Sequence, residues 1–190
     1  MTMKRVAGLL AGWLLAGGAG SAWADSTQKH KHLTVTVTVQ KISVAISPSS
    51  IGFGTVAESF VGVHGTTVVV TNDGNIQEDM QLDGGSAPAG WTKVASDAPG
   101  TDEYDIRALF AAELGPLAST DFSSADDTLS GSPVTATGTQ FARTGDVAGV
   151  KGFDLAVSSA RNLYIQFRAP SFNTVSSAQT VTVTVTAIAG

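Results

Sequence analysis

The chain has 190 residues, no cysteine, and 16 acidic against 11 basic side chains, for a formal charge of −5. A disulfide framework is thereby excluded, and the acidic balance argues against nucleic acid or an anionic membrane surface as partner, because both are bound through basic patches. With 43% apolar residues the chain can instead bury an ordinary hydrophobic core.

Residues 1–24 read as a signal peptide. Lys4 and Arg5 precede the apolar run Val6 to Ala16, and Ala22-Trp23-Ala24 is an A-x-A cleavage site. The run is shorter than the roughly 20 residues a bilayer span needs, and no later stretch is apolar enough to cross. Cleavage after Ala24 predicts an exported chain, periplasmic or extracellular, whose formal charge becomes −7 with the loss of Lys4 and Arg5. Asp25 to His32 is polar and aperiodic, a flexible mature N-terminus, and residues 33–190 have the length of one domain.

From Leu33 onward the pattern has period two, as a half-buried strand requires. Leu33, Val35, Val37 and Val39 share one phase, and Ile42, Val44 and Ile46 the other, so a β-bulge or a change of sheet is expected at Gln40-Lys41. Strands are then predicted at 51–56, 66–72, 78–83, 91–95, 103–110, 139–143, 152–157, 162–168 and 179–188. Turn-rich stretches such as NDGN (72–75) and SDAPGTD (96–102) separate them. Residues 107–115 fit a strand or a short helix, and no helical periodicity is sustained elsewhere. Nine to ten short strands predict an all-β sandwich, immunoglobulin-like or jelly-roll.

TVTVTV occurs near both ends, at 34–39 and 180–185. Its β-branched residues favour extended chain on both faces. These segments are either ordinary strands of the sandwich or edges offered to a neighbouring subunit.

SPSSIGFGTV (47–56) followed by TTVVVTNDGN (66–75) resembles the opening of immunoglobulin-like modules of bacterial secreted and surface proteins, the Hydin-like and abnormal-spindle-like group. The resemblance implies a sandwich used for adhesion, scaffolding or spacing, and brings no catalytic residues. The chain departs from the pattern in the inserted AESFVGVHG (57–65). Independently of any family, Pro48 lacks a donor and belongs at a strand end or an edge.

Catalytic chemistry is poorly supplied. Beyond residue 24 the only histidines are His30, His32 and His64, and no G-x-S-x-G elbow is present. His30 and His32 are too few for zinc, which takes four ligands. Acidic residues cluster at Asp73, Glu78 and Asp79, at Asp126-Asp127, and at Asp97, Asp102, Glu103 and Asp105. Of these, Asp97, Asp102 and Asp105 are the candidate calcium ligands. Trp91, Tyr104 and Tyr164 could offer a sugar-stacking surface, with Tyr164 half exposed; the alternative for Trp91 is core packing. The expectation is an exported, non-catalytic structural or adhesive β-sandwich, either a discrete module or a subunit that pairs through its terminal edge strands with itself or another surface protein. The alternative is a ligand-binding module for glycan or calcium.

Overall fold

The structure, a computed structural model, describes residues 34, 36–112 and 117–190 and divides into the units Met1–Val37 and Thr38–Gly190. Of the first unit, the described residues Thr34, Thr36 and Val37 are exposed and outside any strand. The second is an all-β sandwich. Its strands among the described residues are β1 (Val44–Ser47), β2 (Val61–Val63), β3 (Val68–Asn72), β4 (Glu78–Asp83), β5 (Thr92–Lys93), β6 (Glu103–Ala111), β7 (Val134–Thr135), β8 (Ala160–Arg168) and β9 (Thr184–Ala189). One sheet runs β1-β3-β8-β6-β5, with β2 also on β8; the other runs β7-β4-β9.

The central pair is β6 and β8, antiparallel, with Ile106 opposite Phe167, Ala108 opposite Ile165 and Phe110 opposite Leu163. These side chains share one face with Val68 and Val70 of β3. They pack against Met80 and Leu82 of β4 and against Val185 and Ala187 of β9, which forms the main core. The other face carries Asp105, Arg107, Leu109 and Ala111 beside Tyr164, Gln166 and Arg168. An antiparallel sheet commonly leaves this face to water. Here the chain crosses it after β6: Leu117 and Phe122 pack on Leu109, Ala111 and Tyr164 in a second, smaller core.

The strands follow from local sequence. Glu78–Asp83 alternates buried and half-buried along its length, as its period-two pattern predicts. Asn72 ends β3 because its side chain replaces backbone partners: Oδ1 accepts the Gly74 N–H, and Nδ2 donates to the carbonyls of Ile76 and Leu155. Residues 107–111 continue β6 rather than forming a helix. The insert 57–65 supplies β2, which was not anticipated. Val61 and Val63 pair with Arg168 and Gln166, and Val68 pairs with Leu163, so β2 and β3 share one edge of β8, interrupted at 64–67. His64 spans the interruption: its Nδ1 accepts the Thr66 N–H, and its Nε2 lies 3.2 Å from the Gly52 carbonyl oxygen.

The register break at Gln40-Lys41 is not a bulge within one strand. Residues 36–43 form no strand, and Val39 is 78% exposed. The Asn75 side chain holds this stretch, accepting the Lys41 N–H and donating to the Val39 carbonyl, so regular pairing starts only at Val44. The segments 51–56 and 139–143 form no strands, and 152–157 makes only the bridge Leu155–Glu78. At Gly152 a Cβ would collide with the Phe110 ring, so the chain there lies flat over that ring.

Covering of the outer face makes a prediction about stability. Leu109→Ala should cost about 2–5 kcal/mol, as in any well-packed core. Val69→Ala, at the one exposed position of β3, should cost no more than about 0.5 kcal/mol. Denaturant unfolding of the two variants checks this; equal, small losses would mean that the cover is not packed.

Candidate functional site

Of the three candidate calcium ligands, the structure brings Asp97 and Asp105 together, around a guanidinium. Arg107 is fully buried, with Nη2 2.6 Å from Asp105 Oδ2 and 2.8 Å from Asp97 Oδ1. Its Nε donates to Asp105 and its Nη1 to the Phe122 carbonyl, which ties the outer cover to the sheet. Arg168 adds a bond from Nη1 to the Asp97 carbonyl, and its Nε donates to Gln166 Oε1. Thr128 Oγ1 donates to Asp105 Oδ1. Asp102 is turned elsewhere, accepting from the N–H and hydroxyl of Thr174. Among the described residues no group of three or more His, Asp or Glu is placed to hold a metal ion. His30 and His32 lie outside the described residues.

The network contains a further buried acid. Asp127 is 2% exposed; its Oδ2 accepts the Ser123 N–H at 2.7 Å, and its Oδ1 makes no hydrogen bond. Burial pushes this carboxyl up to about 7, helped by Asp126 and opposed by the Ser123 N–H and Arg107. Burial also pushes Asp105 up, against the pull of Arg107. At the exposed rim, Arg107 holds Asp97 below the usual carboxylate range. Sequence reading missed Arg107 and Arg168, and noted Asp127 only as one of an acidic pair, without foreseeing its burial. The signal was present in Asp105-x-Arg107 and Gln166-x-Arg168, charged or polar residues alternating along strands, but that pattern ordinarily marks a solvated face.

The three aromatic residues do not share a surface. Tyr104 is buried in the main core and Tyr164 in the outer one, on opposite faces of the sheet. Tyr164 is 1% exposed rather than half exposed because the cover lies over it. Trp91 is half-buried, stacked on Phe167 with ring centroids 6.0 Å apart, and its Nε1 donates to Asn173. It packs against the core, as the second reading of this residue expected.

Trp91 also borders a groove of about 860 Å³ that opens between the sheets. Its deepest residues are Val68, Ile106, Leu163, Ile165 and Phe167 on the inner face of the large sheet, buried core side chains against which Ile51, Phe53, Val56, Val181 and Val183 of the two walls pack. One wall is the loop after β1, residues 48–56; the other is the stretch before β9, residues 175–183. Val181 and Val183 turn partly buried side chains to the core while Thr180, Thr182 and Thr184 stay exposed. Residues 180–183 are therefore strand-like in side-chain order but belong to no strand among the described residues. Among the described residues, no backbone-to-backbone hydrogen bond reaches residues 49–56 or 176–183. No ionisable side chain lines the groove. β1 and β9, which adjoin it, are both sheet edges.

No protein-family model, no curated protein and no solved structure matches the chain.

Two outcomes follow from the charged network. Added calcium should leave the melting temperature unchanged, because Asp97 and Asp105 are held by Arg107 and Asp102 by Thr174; a calcium-dependent rise in a thermal scan would refute this. For Asp127 the folded-state value of about 7 lies above its ordinary 3.8. The folded chain therefore holds a proton that the unfolded chain releases, and stability falls as pH rises from about 4 to about 7. Asp127→Asn should match the parent near pH 4 and exceed it at pH 8, by an amount on the order of 2–4 kcal/mol. Urea unfolding at the two pH values measures the difference.

Proposed function

We propose that this chain is an exported, non-catalytic structural or adhesive subunit that joins other copies, or another surface protein, by accepting an added strand in the open groove. The observation that carries this reading is the groove itself: an apolar floor between the loop 49–56 and the stretch 176–183, neither of which makes a backbone-to-backbone hydrogen bond among the described residues. An extended peptide entering there would gain main-chain hydrogen bonds from the walls and side-chain burial on the floor, the two components of strand-addition recognition.

The uncharged lining supports the non-catalytic part, because proton transfer and nucleophile activation both need a titratable group at the reacting atoms. The charged residues described above serve packing instead, bracing the outer cover from within. Export is supported by the charged start, apolar run and A-x-A site of residues 1–24. Among the described residues, no helix is long and apolar enough to cross a membrane.

Light scattering coupled to size exclusion, with negative-stain microscopy, tests the proposal on the chain from Asp25 to Gly190. Concentration-dependent oligomers or filaments are expected. A strict monomer at every accessible concentration, with no surface protein captured, would overturn it.

A further inference from the structure

Building on the strand-addition reading, we infer that the groove's occupant is the segment 33–39 of a second copy of this chain. The donor is read from its sequence and from where the chain leaves the sandwich. Residues 33–39 read LTVTVTV, without charge, proline or glycine, and the apolar side chains occupy alternate positions. Such a strand presents one apolar face and one threonine face. The apolar face matches the partly buried apolar side chains that line the groove, Ile51, Phe53, Val181 and Val183, above the buried Leu163, Ile165 and Phe167. The absence of charge matches a groove without an ionisable side chain. Val37 and Val39 are 77% and 78% exposed, the largest exposures among the large apolar side chains described. Seven residues extend about 23 Å at ~3.3 Å each, similar to the eight-residue walls 49–56 and 176–183.

The attachment point argues for another copy. The Asn75 N–H donates to the Lys41 carbonyl and the Asp73 N–H to the Ser43 carbonyl, while Asn75 Nδ2 donates to the Val39 carbonyl. Residues 39–43 are thereby held alongside the 73–75 turn, continuing the line of β1 beyond Val44. The groove begins at the other end of β1, past Ile46. These bonds hold residues 39–43 at the end of β1 remote from the groove, which favours insertion into a neighbour. It is a heterologous contact, which repeats from copy to copy unless a ring closes.

The chain lacks cysteine, so engineered thiols report contacts without background. Equal amounts of Thr36→Cys and Thr182→Cys chains, mixed and oxidised, should give a disulfide-linked heterodimer, whereas Thr36→Cys with Val157→Cys, placed away from the groove, should not. In parallel, Val35→Asp/Val37→Asp should lower assembly by roughly two orders of magnitude or more while leaving the melting temperature of the sandwich unchanged. If the parent chain assembles and the double variant assembles equally well, the donor is another segment: this inference falls and strand addition stands. If the parent chain stays monomeric, both fall. If the double variant is monomeric but no thiol pair across the groove links, assembly uses the segment at a different surface and the inference again falls.

Discussion

β6 and β8 pair over seven residues, Asp105 to Ala111 against Asn162 to Arg168, and each face of that ribbon has side chains that must leave water. The inner face is satisfied by the second sheet, in the ordinary manner of a sandwich. The outer face is mixed, with Leu109, Ala111 and Tyr164 beside Asp105, Arg107, Gln166 and Arg168. A cover over the apolar half necessarily passes the charged half, and residues 117–129 must accommodate both. Leu117 and Phe122 fill the first role. The second falls to the Phe122 carbonyl and Thr128, which hydrogen-bond with Arg107 and Asp105 respectively.

Burying charge in this way is weak evidence for stability, since desolvation can cancel the attraction between the partners. What the arrangement secures is placement. A guanidinium directs its donors in a fixed plane, and Arg107 uses that geometry to hold Asp105 on its own strand, Asp97 on the loop before β6 and the Phe122 carbonyl on the cover. Lysine at this position could not reach all three at once with comparable geometry. Asp127 lacks such a partner for Oδ1, and its carboxyl rises accordingly.

The elements read best from sequence were those whose pattern is local. Glu78–Asp83 and Glu103–Ala111 alternate or run apolar over enough residues to declare themselves, and NDGN closes β3 as its turn chemistry requires. The errors have a common cause, which is that periodicity reports preference and not partnership. TVTVTV at 34–39 has strong strand preference but no strand assignment in the described residues, and 180–183 has the same preference without a ladder beside it. The converse occurs in AESFVGVHG, where three residues form a strand only because β8 offers its edge. Tyr164 was misread because the segment that buries it lies more than 40 positions away in the sequence, between Leu117 and Phe122. The charged network was hidden for the same reason: Asp105 and Arg107 have the spacing of a solvated face, and only the cover makes them interior.

The groove poses the reverse problem, a surface with too few partners. Exposed strand edges are normally guarded by charge, proline or a bulge. Here Pro48 marks the start of one wall, and the other, from Ser176 to Val183, has no charge or proline. The balance for filling the gap is close. Burying the four apolar side chains of a seven-residue strand would contribute about 1.5–3 kcal/mol each. Ordering seven residues costs about 1–2 kcal/mol per residue. These nearly cancel, so side-chain burial alone would hold a strand only weakly. The remaining contribution is main-chain pairing, at about 0.5–1.5 kcal/mol per hydrogen bond, and it is available from both sides because neither wall makes a backbone-to-backbone hydrogen bond among the described residues. A single open edge would double as a general aggregation site with little selectivity for its occupant. Two facing stretches over an apolar floor instead favour a strand of the right length, uncharged, with apolar side chains in one phase. That preference, set by the walls and floor together, is what selects a sequence such as LTVTVTV over the many polar or irregular segments the chain also exposes.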